Sequence, residues 1–206
     1  IHANHVTSKA AKTSSDVLLK TMVVKIGNTG KKAGLMQDNG STDNYVTPEA
    51  VKEHRFKKES DVVLQIEGIN STRTIDSAVY RVPLMDNKGQ VHNIQCYVLD
   101  EITSEAEPID PKKYKKVCSQ LKVRPEQVKR PIKVDILLSS RSNFLMSEKV
   151  RSEAGGLRLY QGPLGLTISG TSKSLQSNAG LSTSYPTKVT PVVSTVKIAK
   201  LKPQIE

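Results

Sequence analysis

Short apolar runs separated by tight polar turns make up most of the middle of the chain. The runs are rich in Val, Ile, Leu and Met, and Gly, Asn, Asp and Lys lie between them. They are Met22–Ile26, Ala33–Met36, Asp61–Ile66, Ile75–Leu84 and Val91–Leu99. Runs of this length and spacing predict strands joined by hairpin turns. The pattern therefore favours an all-β domain, built as a small barrel or a sandwich.

Two segments depart from this pattern and predict short helices. Thr47, Pro48 and Glu49 combine an N-cap, a proline at the first helical position and an acidic first turn, which predicts a helix from Pro48 to about His54. A second helix is expected after Asp110, which fits as its N-cap. Its apolar residues recur at i, i+3, i+4 and i+7, and they are Tyr114, Val117, Cys118 and Leu121. That period predicts an amphipathic helix with one buried face.

Asp38 is the position where the sequence points most directly to chemistry. It ends the second strand of the first predicted hairpin, and Asn39, Gly40 and Ser41 follow it. A carboxylate on a sharp turn protrudes from the strand end, and a glycine lets backbone amides approach it closely because it has no Cβ. The Ser41 hydroxyl can then hydrogen-bond an outer carboxylate oxygen and hold it in plane. These residues indicate the active-site loop of an aspartic peptidase, although an ordinary polar β-turn has the same composition.

Taken in order, the segments resemble the retropepsin-like aspartic peptidases, and most closely those of Bel/Pao-type retroelements. The resemblance spans about Lys20 to Gly170. It is carried by Val23–Thr42, Val62–Leu84, His92–Thr103, Val134–Ser140 and Gly162–Gly170, the last of which is similar to a Leu-Gly-x-x-x-Ser-Gly stretch. It implies a retropepsin-like closed β-barrel with one or two short helices, in which residues 134–140 pack beneath the active-site loop.

The resemblance also implies a catalytic dyad made from Asp38. The chain has no second Asp-x-Gly-Ser/Thr, so two copies must each contribute one Asp38 across the twofold axis of a homodimer. Two carboxylates at close range share one proton, and the ionised one activates a water molecule for attack on a peptide bond. No metal or nucleotide cofactor is needed. The expected substrates are extended polyprotein segments with bulky apolar side chains at the cleaved bond.

A hairpin tip between Ile66 and Ile75 is the expected flap. The resemblance places it over the bound substrate, where its backbone would hydrogen-bond an extended peptide. The residues assigned to it are Gly68, Ile69, Asn70 and Ser71. Without the resemblance, the same stretch fits an ordinary surface hairpin.

Two positions depart from the family pattern. Asn39 stands where members commonly have Ser or Thr, whose hydroxyl bridges the two active-site loops of the dimer; an amide both donates and accepts and can replace that bridge. Ser139 and Ser140 follow Ile136–Leu138, where glycine is usual, and a Cβ there could crowd the loop under Asp38. These departures leave a second interpretation open, namely a catalytically inactive retropepsin-like module for dimerisation or RNA association.

Composition predicts one domain between two flexible linkers. Residues 1–19 and 171–206 are rich in Ser, Thr, Lys and small residues, which leaves residues 20–170 to form a domain with one core. No apolar run approaches membrane-spanning length, and no signal peptide is visible. We therefore expect an intracellular, cytoplasmic protein that belongs to a polyprotein precursor or a virus-like particle. Cys96 and Cys118 are expected to be buried free thiols.

The net charge of +11 is concentrated in an expected helical insertion at about residues 110–131. Residues 111–133 contain nine Lys or Arg and a single acid, Glu126. Such a surface can bind the phosphates of RNA through counterion release. Because no aromatic residues or recognition motif accompany it, a solvated surface helix is the favoured interpretation, and a weak RNA contact is the alternative.

Overall fold

The structure, a computed structural model, describes residues 17–67, 72–102, 109–172 and 195–199. Strands dominate these residues, and the helices among them are short. The strands are β1 (Val17–Leu18), β2 (Thr21–Ile26), β3 (Lys32–Asp38), β4 (Tyr45–Val46), β5 (Lys57–Glu67), β6 (Thr72–Met85), β7 (Val91–Val98), β8 (Ile136–Ser139), β9 (Lys149–Ala154), β10 (Leu157–Gly162), β11 (Gly165–Thr171) and β12 (Thr195–Ala199). The helices are α1 (Pro48–His54) and α2 (Pro111–Gln120), with 3₁₀ helices at Pro125–Gln127 and Ser140–Leu145. The predicted all-β class is confirmed.

The larger sheet brings distant parts of the chain together around the main core. Its strand order is β12–β5–β6–β2–β3–β8–β4–β7, and β7 also pairs with β6. The pairings therefore lead from β6 through five other strands and back to β6. Aliphatic side chains of β2, β3, β6 and β8 are buried together in this sheet's core, including Ile26, Leu35, Leu84, Ile136 and Leu138.

The helix α2 packs on a smaller sheet, and the residues between them form a separate apolar cluster. The strand order of this sheet is β1–β11–β10–β9. One face of α2 packs on it, as the sequence predicted, and the contacting residues are Val117, Cys118, Leu121, Leu157, Leu159 and Ile168. The predicted N-cap is also confirmed, because Asp110 Oδ1 accepts a hydrogen bond of 2.7 Å from the backbone N–H of Lys112. The buried apolar residues are thus divided among three clusters rather than gathered into the single core that the sequence predicted.

Two strands lie in stretches that the sequence assigned to linkers. β1 falls within residues 1–19 and pairs with β11, where Leu18 lies opposite Gly170. β12 falls within residues 171–206 and pairs antiparallel with β5. Each of the two stretches therefore contributes one strand. Their partners are far away in the sequence, so local composition gave no sign of the pairing.

The β5–β6 hairpin is longer than the sequence predicted. Strands expected at residues 61–66 and 75–84 extend until Glu67 lies opposite Thr72. The hairpin itself is confirmed. The expected flap residues Gly68, Ile69, Asn70 and Ser71 lie outside the described residues.

Gly34 allows the chain to enter β8 directly beside β3. A Cβ on Gly34 would lie only 1.9 Å from the carbonyl oxygen of Lys133, so a side chain cannot be accommodated there. Two hydrogen bonds of 2.8 Å join Gly34 to Asp135, one from the Gly34 N–H to Asp135 Oδ2 and one from the Asp135 N–H to the Gly34 carbonyl. This close crossing sets the register in which β3 and β8 run parallel.

Both cysteines are buried and free, as predicted. Burial raises the pKa of the Cys96 thiol and that of the Cys118 thiol, which keeps both neutral. Neither helix in the described part of the chain is long and apolar enough to cross a membrane.

Candidate active site

Asp38 lies at the edge of the larger sheet where two parallel strands end. It is the last residue of β3, and Ser139, the last residue of β8, lies beside it. The Asp38 residue as a whole is half-buried, and its Oδ1 accepts an exposed hydrogen bond of 2.9 Å from the backbone N–H of Gly40. Asp38 therefore ends its strand as predicted, and the turn that follows holds its carboxylate.

Gly40 has the close approach to the carboxylate that the sequence predicted. A Cβ at this position would lie 3.2 Å from Asp38 Oδ1, which is tighter than an ordinary contact. Any larger residue would have to displace the carboxylate or lengthen the hydrogen bond from the amide. Asn39, the residue between them, is exposed at the tip of the turn.

Ser41 supports the loop in a different way from the one expected. Its hydroxyl is buried and donates to the Asp43 carbonyl at 3.0 Å, so the predicted hydrogen bond to the Asp38 carboxylate is wrong. A buried donor needs a partner close by, and within this loop the Asp43 carbonyl supplies it. The Ser41 carbonyl in turn accepts from both the N–H and the hydroxyl of Ser140, at 3.1 and 2.8 Å. Ser41 thus joins the active-site loop to the residues that follow β8.

Asn44 is a site residue that the sequence did not reveal. Its side chain is buried, with Oδ1 2.9 Å from the Ser139 N–H nitrogen and 3.0 Å from the Ser139 hydroxyl. Its Nδ2 donates to the Gln95 carbonyl and to the Ser142 hydroxyl, each at 3.0 Å. These contacts use both acceptor and both donor positions of the amide. One side chain therefore connects the loop to β7, to β8 and to the 3₁₀ helix after β8.

Ser139 fits beneath the loop without the crowding that the sequence suggested. The residue is fully buried, and its hydroxyl lies 3.2 Å from the Thr42 carbonyl as well as 3.0 Å from Asn44 Oδ1. The same oxygen accepts from the Arg141 N–H at 3.2 Å. The side chain that replaces the usual glycine is therefore a hydrogen-bonded part of the support under Asp38.

A partly buried ion pair lies next to this network. Asp43 Oδ1 is 2.8 Å from an Arg141 guanidinium nitrogen; the Asp43 carboxylate is buried and the Arg141 side chain is about half exposed. Tyr45 and Tyr97 are nearby, with ring centroids 6.3 Å apart. Burial, reinforced by the Asp43 charge, raises the pKa of both phenols. Charged and amide residues in a loop are usually exposed, so sequence alone did not indicate that Asp43 and Asn44 are buried.

No protein-family model and no curated protein matches the chain. Within residues 17–67, 72–102, 109–172 and 195–199, no group of three or more His, Cys, Asp or Glu is placed to hold a metal ion. The Asp38 loop and the buried residues that support it are therefore the candidate functional site.

Proposed function

We propose that the chain is the retropepsin-like aspartic peptidase domain of a Bel/Pao-type retroelement polyprotein, and that it hydrolyses peptide bonds as a homodimer. The observation that carries the proposal is the Asp38 carboxylate, held at a strand end by the Gly40 amide above a buried polar network. An ordinary surface turn needs no such support. Buried polar networks are costly unless every member is satisfied, and they are typical of sites where geometry must be fixed.

The strand pairings support the closed barrel that is part of this proposal. A sheet whose neighbours lead from β6 back to β6 leaves few free edges within the circuit. Parallel β3 and β8 end together at one side of it, and the Asp38 loop is there. The β5–β6 hairpin extends from the same sheet and is the proposed flap.

In the proposed reaction, one Asp38 from each protomer faces the other across the twofold axis. Like charges at this range cannot both ionise, so the dyad holds one proton. The ionised carboxylate takes a proton from a trapped water as that water attacks the scissile carbonyl, and the protonated carboxyl polarises the carbonyl oxygen. Collapse of the tetrahedral intermediate breaks the C–N bond, and the dyad returns a proton to the leaving amine.

Asn39 has a separate role in the proposed dimer. Because it is exposed at the tip of the loop that carries Asp38, its amide is available to the loop of the other protomer. There it would replace the hydroxyl bridge usual in this family. Substrates are extended segments of the same intracellular polyprotein, bound between the flap and the active-site loops.

Self-processing of a precursor extended at both ends tests the proposal. We expect the wild type to be cut at discrete sites, as measured by intact mass. Asp38→Asn should slow cleavage by at least about 10²-fold, because the amide cannot serve as general base, while leaving the circular dichroism spectrum unchanged. Asp100→Asn, which changes an exposed carboxylate away from the loop, is the matched control and should cut normally.

Cleavage that survives Asp38→Asn in pure protein would refute the peptidase proposal. If neither precursor is cut although both are folded and dimeric, the inactive dimerisation or RNA-associating module becomes the better account. Asn39→Ser and Ser139→Gly are then the reversions to make, singly and together.

A further inference from the structure

Three lysines form an exposed cationic face on α2. Lys112 and Lys116 are one helical turn apart, Lys115 lies beside them, and all three are exposed on the side opposite the residues that pack on the smaller sheet. Like charges at i and i+4 repel each other on a helix surface. We call these three residues the lysine face.

A basic groove lies between the insertion and the β2–β3 hairpin. It has a volume of about 210 Å³. Lys25, Lys32, Lys129 and Glu126 line it together with apolar residues that include Met22, Val24 and Leu164. Lys25 and Lys32 are directly opposite each other on antiparallel strands, so both ammonium groups extend from the same face of the sheet. Like charges in that arrangement are destabilising. We call Lys25, Lys32 and Lys129 the basic groove.

Within the described residues, the lysines of both groups lie outside the ion pairs. Some surface cations there have acidic partners, as Arg81 has in Glu59 and Lys133 has in Glu49 at 3.4 Å. None of the ion pairs formed by residues 17–67, 72–102 and 109–172 includes a lysine of the lysine face or the basic groove. Close to Tyr114, Arg130 Nη1 is buried without a hydrogen-bond partner and adds a further positive charge.

The insertion holds these charges on a rigid base. The Tyr114 hydroxyl donates to the Val128 carbonyl, and the Ser152 hydroxyl donates to the Leu121 carbonyl at 2.7 Å. These hydrogen bonds join α2 to the segment that carries Lys129 and to the smaller sheet. A fixed array loses less conformational freedom on binding than lysines on a mobile tail.

We propose that the lysine face and the basic groove bind the sugar–phosphate backbone of a single-stranded nucleic acid without sequence preference. Phosphates placed along both groups would relieve the repulsion between neighbouring lysines and release counterions. Tyr114 is half-buried with its hydroxyl bonded, so the insertion would contact phosphates rather than stack on bases, and phosphate contacts carry no sequence information.

Fluorescence anisotropy with a labelled oligouridine of about 20 nucleotides tests this proposal, with the full chain titrated at several salt concentrations. The groove variant is Lys25→Gln, Lys32→Gln and Lys129→Gln together, and the face variant is Lys112→Gln, Lys115→Gln and Lys116→Gln together. Each should weaken binding at least about tenfold at low salt. Each should also reduce the slope of log K against log salt by about two, because three phosphate contacts at about 0.7 each are lost.

A control variant separates a site from a general effect of charge. Lys52→Gln, Lys57→Gln and Lys88→Gln together remove the same charge from exposed lysines elsewhere and should leave the slope unchanged. The matching Lys→Arg variants of the groove and the face should retain binding. The proposal is overturned if the control loses as much affinity, or if polyglutamate or phosphatidylserine vesicles bind as tightly as the oligouridine at equal salt. Absence of oligouridine binding by the wild type also overturns it.

Discussion

The polar residues under Asp38 are held by contacts between residues 51 to 99 positions apart in the sequence. Ser139 replaces a glycine of the family pattern, and its hydroxyl and N–H both lie against the Asn44 amide. A hydroxyl in a buried loop is tolerated only when it is satisfied, and the four contacts of Asn44 satisfy its neighbours as well as itself. Asn44 and Ser139 therefore act as one unit in this molecule.

Asn44→Ala should show how much the contacts of Asn44 stabilise the fold. The change leaves the Ser139 N–H and the Gln95 carbonyl without their partner in a buried site, and we expect the free energy of unfolding to fall by about 2–4 kcal/mol. Urea denaturation measures this loss. Precursor cleavage should fall as well, because the loop that carries Asp38 loses its fixed position.

Asn143→Ala provides the comparison for that experiment. Asn143 is an exposed asparagine in the 3₁₀ helix after β8, and its replacement should change stability by no more than about 0.5 kcal/mol. Equal losses in the two variants would contradict the assignment of Asn44 as the support of the site.

Sequence could locate Asp38 and Gly40 because their relation is local. The carboxylate, the turn and the amide that binds it lie within three residues, so composition and spacing describe them. Asn44 has partners 51, 95 and 98 residues away, and no local pattern encodes those distances. The hydroxyl of Ser41 was misassigned for a related reason, since its partner is chosen by the folded path of the loop.

At the scale of elements, α1 was predictable and its surroundings were not. Thr47 Oγ1 accepts from the Ala50 N–H at 3.4 Å, and the helix occupies Pro48–His54 as the cap and proline indicated. Its C-terminal end is fixed by the β2–β3 turn, where Asn28 Nδ2 donates to the His54 carbonyl at 3.0 Å. The His54 ring is buried there, lies 3.4 Å from the Thr29 hydroxyl and stacks on Phe56.

The buried His54 should make the stability of the fold depend on pH. Burial lowers the pKa of its imidazole below the ordinary value of about 6.5, with the charges of Glu53 and Asp135 opposing that shift and that of Lys31 adding to it. The unfolded chain then binds a proton more readily than the folded chain. The stabilising contribution is complete above about pH 6.5 and is lost as the pH falls from there toward the folded pKa.

Urea midpoints between about pH 7 and pH 5.5 test this dependence. His54→Gln should flatten the loss of stability on acidification, by at most about 1.4 kcal/mol per pH unit, because the titrating group is gone. Parallel curves for the variant and the wild type across this range would show that His54 does not titrate differently on folding.

At the scale of the whole molecule, alternating apolar runs were sufficient to predict a mostly β domain. They could not predict that β1 pairs at the edge of the smaller sheet and β12 at the edge of the larger one. A strand of two to five residues has too short a pattern to be recognised, and its pairing depends on a partner far away in the sequence. They also could not predict that the buried residues form separate clusters. The cluster between α2 and the smaller sheet brings together residues as far apart in the sequence as Leu18 and Ile168. The period of apolar residues shows where strands form, but it does not show which distant strands pair with each other.

The proposed dimer gives the last prediction, because each active site needs Asp38 from both chains. Asp38→Asn protein mixed with an equal amount of wild type should form heterodimers with one carboxylate, which cannot supply both a general base and a general acid. After exchange of subunits, cleavage of a separate substrate should fall to about one quarter of the rate of wild type at the same total concentration, since about one dimer in four keeps both carboxylates. A rate of one half would mean that each chain acts alone. Asp100→Asn mixed in the same ratio leaves both Asp38 residues in every dimer and should not lower the rate.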